Sequence, residues 1–364
     1  MIGSTNTLID KKGGILKPSV SKSYLWESLS ALPFNFYNGD AVVYRGEIHL
    51  LGGTSDRKAH YRYNGYRWMI DVSIPVDFTE GSAVVYNDEI HIISRTTTGF
   101  HYKFDGTTWS QASTLPYSAS TLSVALYNNE IHILGGSSTN STKHYKWNGV
   151  EWIQASTLPY AHIDGSSIEY NSELHIMGSS TLADATKHYK WNGTEWTEAP
   201  TLPYNYHSGT ALVLDDKLYL FGTATNYSLS TSVAYFDGTN WVQYDKKIPY
   251  NYFNGAAVLY EDSVYLMGSS YSSSYYKYFY KFAPADMYSV TVPYGAKAIS
   301  NGISLRNESN VTVTVDGFLA NKAEYTDVDF NLAPASPITI LKDRSIYIWV
   351  KVLLLLIFHY HMNL

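Results

Sequence analysis

The chain has 364 residues, of which 45% are hydrophobic, so it is long enough to form one large domain and a smaller one around a substantial core. Its net charge is −6 and only 16% of its residues are charged, which excludes the overall basic field expected of proteins that bind nucleic acid or anionic lipid. It contains no cysteine, so disulfides, zinc–thiolate sites, iron–sulfur clusters and thiol catalysis are excluded.

The N-terminal 21 residues are predicted to be an extension that precedes the first domain. Residues 1–25 lack the apolar run of a secretory signal peptide. This absence predicts a protein that is cytoplasmic or part of a virus particle.

From residue 22 onward one pattern recurs at intervals of 41 to 45 residues, marked by a tryptophan each time. Each Trp is followed by Leu-Pro or Ile-Pro, a run of small apolar residues, a polar turn, a second apolar run and a third run, which ends in Asn-Gly or Asp-Gly in the first five units. That dipeptide predicts a two-residue hairpin turn in which both residues have positive φ. Four short strands repeated at this period are typical of a β-propeller blade. The repeat tryptophans are Trp26, Trp68, Trp109, Trp152, Trp196 and Trp241.

The two ends of the repeat predict an all-β, six-bladed propeller over residues 22–284. The sixth unit, which ends near Phe282, has no Trp strand after it, and the strand around Trp26 has no unit before it. We therefore expect the N-terminal strand to complete the last blade, which also removes exposed sheet edges. We name the strands a to d from the axis outward, because the small residues of strand a suit the crowded axis.

The order of a small-residue strand, a strand ending in Gly-Gly, a Tyr and then a Trp resembles the kelch-repeat family over roughly residues 22–284. Tyr61 with Trp68 and Tyr145 with Trp152 show the Tyr–Trp spacing. The double glycine is retained only at residues 52–53 and 135–136. The resemblance implies a propeller fold and a binding or scaffolding role.

After residue 284 the period stops. Residues 285–344 alternate in polarity and predict a small C-terminal β-rich module, and residues 345–364 form an apolar tail. Its most apolar stretch, residues 346–358, is shorter than the about 20 residues that a membrane helix needs, which favours a buried strand or an oligomer contact over an anchor. This C-terminal region is the candidate for homo-oligomer or virion contacts, because the whole chain loosely resembles kelch-like tail proteins of bacteriophages and prophages.

Eight histidines occupy two repeated positions. Because equivalent positions in different blades do not converge on one point, the pattern predicts a structural role for these histidines and no metal or cofactor site. Tyr219 and Tyr265 replace His in strand b of the last two blades, which fits packing and hydrogen bonding. The histidines are His49, His91, His132 and His175 in strand b, and His60, His101, His144 and His188 in strand c.

The residues just after each Leu-Pro or Ile-Pro differ between blades, on loops predicted to converge at one face near the axis. Aromatic rings beside Asn, Asp and His suit a sugar, which stacks through its C–H face and hydrogen-bonds through its hydroxyls. The alternative is that these aromatics only fill the channel mouth. The ligand-binding candidates are Phe36, Tyr37, Phe78, His162, Asp164, Tyr206, His207, Tyr252 and Phe253.

The sequence thus predicts a non-catalytic recognition propeller for a glycan or another host-surface ligand, such as a surface protein, in a phage or prophage tail-associated protein. One alternative is a sugar-acting enzyme, since six-bladed sialic-acid mutarotases resemble this chain in blade count. Asp164 with His162 or His207 is its acid–base candidate. Arg57 and Arg95 are the only candidates to bind a carboxylate. A second alternative is an intracellular protein–protein scaffold.

Overall fold

The computed structural model of the chain describes residues 8–9, 19–94, 99–117, 120–137, 139–222, 231–271 and 274–291, and six short strands after residue 296. Every regular element in these residues is a β-strand. Within these ranges there is accordingly no helix that could cross a membrane.

Six antiparallel sheets form the blades of a propeller, which confirms the predicted fold. The strands a are β3 (Asp40–Tyr44), β7 (Ser82–Tyr86), β11 (Ser123–Tyr127), β15 (Ser166–Tyr170), β19 (Thr210–Leu214) and β23 (Ala256–Tyr260). The strands b are β4 (Glu47–Leu51), β8 (Glu89–Ser94), β12 (Glu130–Leu134), β16 (Glu173–Met177), β20 (Lys217–Phe221) and β24 (Ser263–Tyr271).

The strands c are β5 (His60–Tyr63), β9 (Phe100–Phe104), β13 (His144–Trp147), β17 (His188–Trp191), β21 (Val233–Phe236) and β25 (Ser274–Thr291). The strands d are β6 (Trp68–Ile70), β10 (Trp109–Thr114), β14 (Trp152–Gln154), β18 (Trp196–Glu198), β22 (Trp241–Gln243) and β2 (Ser19–Ser28). All six repeat tryptophans therefore lie in the outermost strands.

The N-terminal strand closes the ring as the repeat predicts. β2 pairs with β25 in the sheet of blade six. Just beyond β2, the N–H of Leu29 donates to the Phe279 carbonyl at 2.9 Å, and the N–H of Leu32 donates to the Lys277 carbonyl at 3.0 Å. The first and last parts of the repeat thus share one blade.

The turns differ from the prediction. Two successive residues with positive φ occur between strands a and b, as at Asn87 and Asp88 (φ 50° and 58°). In the Asn-Gly turns between strands c and d only the glycine is left-handed (Gly65, φ 90°). The predicted two-residue type I′ turn is wrong there, because the loop has four residues and the Asn64 side chain accepts the N–H groups of Tyr66 and Arg67, both at 3.1 Å.

The core lies between successive blades. Strand b is sandwiched on both faces, and Ile48, Leu50 and Leu51 of β4 are fully buried. Ile90 of β8 packs with Tyr44 and Phe78 in one cluster shared by blades one and two. Each such buried Leu or Ile stabilises the fold by about 1.5–3 kcal/mol, so the ring is held by apolar contacts repeated blade after blade.

The histidines form four buried pairs within blades, which confirms their predicted hydrogen-bonding role. His132 Nδ1 lies 2.8 Å from His144 Nε2, and His144 Nδ1 lies 3.2 Å from the carbonyl of Ser156. Because a carbonyl only accepts, His144 carries its proton on Nδ1, and His132 Nδ1 must donate to His144 Nε2. The other three pairs repeat this contact at 2.7–2.8 Å.

A tryptophan from the next blade reaches the same carbonyl that the strand-c histidine uses. Val72 O accepts from His60 Nδ1 at 3.0 Å and from Trp109 Nε1 at 3.1 Å. Pro200 O is shared by His188 and Trp241 at 3.2 and 3.1 Å. In blades one and four, therefore, the strand-c His and the Trp of the next blade donate to the same carbonyl and so connect the two blades.

The chain divides into two compact units, residues 28–282 and the remainder. In the remainder, β31 (Ile357–Tyr360), within the predicted apolar tail, pairs with β25 and β28. Besides most of β2 and the end of β25, the other strands there are β1 (Leu8–Ile9), β26 (Lys297–Ala298), β27 (Ile303–Arg306), β28 (Val313–Asp316), β29 (Ile338–Ile340) and β30 (Ser345–Ile348). Most of 285–364 lies outside the described residues, so the β-module and tail remain predictions.

Candidate ligand-binding site

Five of the nine predicted ligand-binding residues are fully buried at the inner ends of the loops that enter strand a. We call these side chains the plugs. Their relative exposure is 0%, so no ring face is available for a sugar, and the predicted stacking role does not fit this geometry. The plugs are Phe36, Phe78, His162, Tyr206 and Tyr252.

The polar plugs are matched by a hydroxyl on the preceding blade. Tyr206 Oη lies 2.8 Å from Ser166 Oγ, and Tyr252 Oη lies 2.8 Å from Thr210 Oγ1. Ser123 Oγ lies 2.9 Å from Nε2 of His162. These bonds satisfy groups that would otherwise be buried without partners, so the plugs belong to the scaffold.

The His162 imidazole is held neutral by its surroundings. Burial lowers its pKa to about 4. Its Nδ1 lies 3.1 Å from the Gly178 carbonyl and its Nε2 contacts Ser123. Both nitrogens are therefore engaged inside the fold, and His162 is not placed to exchange a proton with a ligand.

The plug backbone explains the glycine that ends most strands b. Gly178 has φ 70°, and a Cβ added there would lie 2.1 Å from the Tyr206 carbonyl oxygen. Only glycine accepts both the left-handed backbone and this close approach. Ser179 N–H donates to that carbonyl at 3.0 Å, which fixes the plug loop against the preceding blade.

Two residues after each plug position stands a polar residue with left-handed backbone. We call these six residues the crown. Their φ angles lie between 51° and 58°, and all six line the mouth of the central channel. The crown consists of Asn38, Glu80, Thr121, Asp164, Ser208 and Asn254.

Main-chain hydrogen bonds of 2.8–3.0 Å join crown residues of neighbouring blades. The N–H of Asn38 donates to Asn254 O, that of Asn254 to Ser208 O, and that of Ser208 to Asp164 O. Left-handed backbone costs a non-glycine residue about 1–2 kcal/mol, least for Asn and Asp. No crown position carries glycine, so each blade keeps a polar side chain at the mouth in spite of this cost.

The channel below the crown encloses a cavity of about 600 Å³, a size typical of sites for small ligands. Four carboxylates belong to its lining, from Asp40, Glu80, Asp164 and Glu169. No Lys, Arg or His is among the described residues that line it. The cavity therefore has a negative potential and offers no cation to a carboxylate or phosphate.

Asp40 is a carboxyl of this wall that joins two blades. Its Oδ1 accepts from Ala41 N–H at 2.8 Å and its Oδ2 from Ala83 N–H at 2.7 Å. Burial raises its pKa to about 6 in spite of these two bonds, which favour the charged form.

Asp164 and His207, both predicted, come together at the mouth with Ser208. His207 Nδ1 lies 3.4 Å from Asp164 Oδ2 and 2.9 Å from Ser208 Oγ. Ser208 Oγ also donates to Asp164 Oδ2. The imidazole and carboxylate side chains are 21% and 28% exposed, and Phe253 meets the imidazole edge-on at 5.9 Å between ring centroids.

The opposite arc of the mouth is built from amide and hydroxyl groups. Asn38 Nδ2 donates to Thr54 Oγ1 at 3.4 Å, and Thr54 Oγ1 lies 3.2 Å from Thr79 Oγ1. Tyr37 is partly buried beside them, and its carbonyl accepts from Thr54 N–H at 3.0 Å. Of the predicted candidates, Tyr37, Asp164, His207 and Phe253 thus remain accessible.

Neither of the two arginines considered for binding a carboxylate is among the described residues that line the channel. Arg57 forms an exposed ion pair with Asp77 at 3.4 Å, and Arg95 lies outside the described residues. The sequence reasoning missed five crown residues. The sequence feature that could have identified them is a repeat position whose residue type varies between blades but is polar in all six.

No family model and no curated protein matches the chain. Among solved structures, that of YjhT is similar, with a TM-score of 0.58 and 12% identity over 72% of this chain and 99% of that chain. A likeness at this identity concerns the fold, and it supports a six-bladed, kelch-like propeller. It gives no support to the resemblance to phage tail proteins.

Proposed function

We propose that the propeller binds an uncharged, hydroxyl-rich ligand, a neutral glycan, at the channel mouth without catalysing a reaction. The observation that carries this proposal is the crown, six polar side chains held in left-handed backbone where glycine would be less strained. Strained residues of this kind cluster at functional sites. Amide, hydroxyl and carboxylate groups are suited to hydrogen-bond sugar hydroxyls in both directions.

The negative charge of the cavity determines which class of glycan we expect to bind. A wall with carboxylates of Asp40, Glu80 and Asp164, and no described cation, repels an acidic sugar. Phe253 and Tyr37 supply partly exposed ring surface at the rim for the apolar face of a pyranose. We therefore expect neutral oligosaccharides to bind and sialylated or phosphorylated ones to be excluded.

The test is a glycan array with the purified full chain, followed by calorimetry on the best neutral ligand. Asp164→Asn and Asn254→Ala are expected to weaken binding about tenfold or more, because the first replaces a charged acceptor by a neutral amide and the second removes a hydrogen bond to a sugar hydroxyl. Glu151→Gln, an exposed change outside the cavity lining, is the matched control and should bind as the wild type. Equal or tighter binding of sialylated glycans, or unchanged affinity in both crown variants, would overturn the proposal.

A sugar-acting enzyme is the second candidate, supported by the contact between Asp164 and His207. A carboxylate beside a partly exposed imidazole can move a proton to or from a sugar hydroxyl. Anomer exchange of neutral aldoses, followed by NMR, would show an acceleration that is lost in His207→Gln. An exchange rate equal to the uncatalysed one would reject the enzyme candidate and leave ligand binding as the sole proposed function.

We further propose that this propeller is part of a phage or prophage tail-associated protein and contacts the host surface. Its support is the sequence resemblance alone. Purified protein should then compete with phage adsorption to a host whose surface glycan it binds, and the Asp164→Asn variant should compete less.

A further inference from the structure

We propose a second site, outside the channel, in which His49, His60 and Asp71 of blade one bind a divalent transition-metal ion of the Zn²⁺ type. One ligand atom from each of the three residues lies within 4.8 Å of the others. Two imidazoles and one carboxylate form a donor set that suits Zn²⁺, Co²⁺ or Ni²⁺ better than Ca²⁺ or Mg²⁺.

The repeat supplies the argument that this set is more than architecture. A histidine pair occurs in four blades, and in blade two Glu89 Oε2 lies 3.8 Å from His91 Nε2, the nitrogen that does not contact His101. Among the described residues, however, only blade one brings a carboxylate oxygen and one nitrogen from each imidazole within 4.8 Å of one another. The N–H of Asp71 donates to His60 O at 2.8 Å, and in blades three and four the same bond is made by Ala155 to His144 O and by Ala199 to His188 O. Alanine thus suffices to complete the strand, and the acid is an addition.

The orientation of the donors is already fixed by the backbone of one residue, Val72. His60 Nδ1 lies 3.0 Å from Val72 O, which places its proton on Nδ1. Its Nε2, which now accepts from His49 Nδ1, is therefore the nitrogen that can bind an ion once that hydrogen bond opens. Val72 N–H donates to Asp71 Oδ1 at 2.7 Å, which holds the carboxylate. Histidine ligands of metals are typically oriented by such a second hydrogen bond to a carbonyl or carboxylate.

Binding the ion requires the ligand atoms to shift, because their present separations, 2.8 Å between the two nitrogens and up to 4.8 Å within the set, differ from those of a tetrahedral site. Tetrahedral bonds of about 2.0–2.1 Å separate ligand atoms by about 3.3 Å. His49 Nδ1 and His60 Nε2 now lie 2.8 Å apart, so this pair must open by roughly half an ångström. The proton on His49 Nδ1 must first move to His49 Nε2, so His49 binds the ion as its other neutral tautomer and the imidazole releases no net proton.

Asp71 determines both how an ion reaches the site and which cation it must displace there. The imidazoles of His49 and His60 are buried, but the Asp71 side chain is 18% exposed, which opens the site on that side. Arg62 Nε lies 3.6 Å from Asp71 Oδ2, while its Nη1 donates to Glu47 Oε2 at 3.0 Å. Arg62 can therefore keep Glu47 as its partner when a cation takes its place beside Asp71.

The test is a titration of the untagged full chain with Co²⁺, followed by visible absorption and then by displacement with Zn²⁺. We expect one Co²⁺ per chain with d–d bands that Zn²⁺ removes. Asp71→Asn keeps an oxygen for Val72 N–H but loses the charge, and it should weaken binding roughly tenfold or more. Asp77→Asn, a partly exposed change outside the cluster, is the matched control.

A gain-of-site variant keeps the test independent of the stability of blade one. Ala155→Asp places the same carboxylate beside His132 and His144 of blade three, and it should raise the number of bound Co²⁺ ions from one to two. Circular dichroism confirms that each variant is folded. Wild-type protein without Co²⁺ bands, or Asp71→Asn protein that binds as tightly as the wild type, would overturn the assignment.

Discussion

Acidification is expected to destabilise the propeller through its buried histidine pairs, and the pair in blade four is suited to test this. Burial lowers the pKa of His175 to about 4 and that of His188 to about 3, from an ordinary value of 6.5. The folded chain keeps both imidazoles neutral, whereas the unfolded chain protonates them below pH 6.5. The free energy of unfolding therefore falls as the pH drops from about 6.5 towards 4.

The size of the effect follows from these pKa values. Between pH 7 and pH 5 each such imidazole lowers the free energy of unfolding by about 2 kcal/mol, so one pair contributes about 4 kcal/mol. The pKa values of His91 and His132 are lowered to about 4, and those of His101 and His144 to about 3. Three pairs give about 11 kcal/mol, comparable to the whole stability of a typical domain. The raised pKa of Asp40 opposes this by only about 1 kcal/mol.

The double variant His175→Tyr/His188→Val tests the origin of the effect, because it places in blade four the residues that blade five has at these positions, Tyr219 and Val233. Urea unfolding followed by Trp fluorescence at pH 7 and pH 5 gives the loss of stability on acidification. That loss should be smaller in the variant than in the wild type by about 4 kcal/mol.

Tyr219→Phe is the control, since a tyrosine whose pKa is raised by burial does not titrate between pH 5 and 7. Its loss on acidification should equal that of the wild type. An equal loss in wild type and double variant, or a wild type as stable at pH 5 as at pH 7, would refute the reasoning.

Three further predictions concern single positions of the scaffold. Ser166→Ala should lower the free energy of unfolding by about 1–3 kcal/mol, because it leaves the buried Tyr206 hydroxyl without its partner, and adding Tyr206→Phe should recover most of this in denaturant titrations. Gly178→Ala should cost about 3 kcal/mol or more, since its Cβ meets the Tyr206 carbonyl, and thermal melts would show it. The raised pKa of Asp40 gives the wild type a stabilising contribution that is fully present below pH 3.8 and is lost as the pH rises through about 6. Asp40→Asn removes this contribution, so on acidification from pH 7 to pH 5 the free energy of unfolding of the variant should fall by about 1 kcal/mol more than that of the wild type.

The blades could be predicted from the sequence because every strand is repeated with its own residue types. The closure could also be predicted, since the unmatched strand around Trp26 supplies what the unit ending at Phe282 lacks, and β2 does pair with β25. Counting strands at the two ends needs no knowledge of side-chain geometry.

The plugs could not be assigned from the pattern alone. Tyr206 follows a Leu-Pro on a loop, and an aromatic residue on a loop suggests an accessible ring. In the structure the loop enters between blades before it turns at the crown, so the ring is fully buried. The sequence does contain a trace of this packing in adjacent repeats. A tyrosine plug follows a strand a that begins with a hydroxyl residue, as Tyr206 follows Ser166 and Tyr252 follows Thr210. The apolar plug Phe36 instead follows, around the ring, the strand that begins with Ala256.

Five of the six crown residues were not predicted for a related reason. Positive φ is predictable for glycine and often for Asn, but Thr121 and Glu80 give no such warning. The left-handed backbone there is imposed by hydrogen bonds between blades, which are contacts between residues about forty positions apart in the sequence.

The crown has a consequence for how this protein can acquire new specificity. Its residues are spaced by main-chain bonds between blades, as from Glu80 N–H to Asn38 O at 2.8 Å, and these bonds do not depend on which side chain is attached. Exchanging one crown side chain should therefore alter one group at the mouth and leave its neighbours in register. The effects of such exchanges on ligand affinity should then add for crown residues whose side chains do not touch, whereas Asp164 and Ser208, which are hydrogen-bonded to each other, should show coupling.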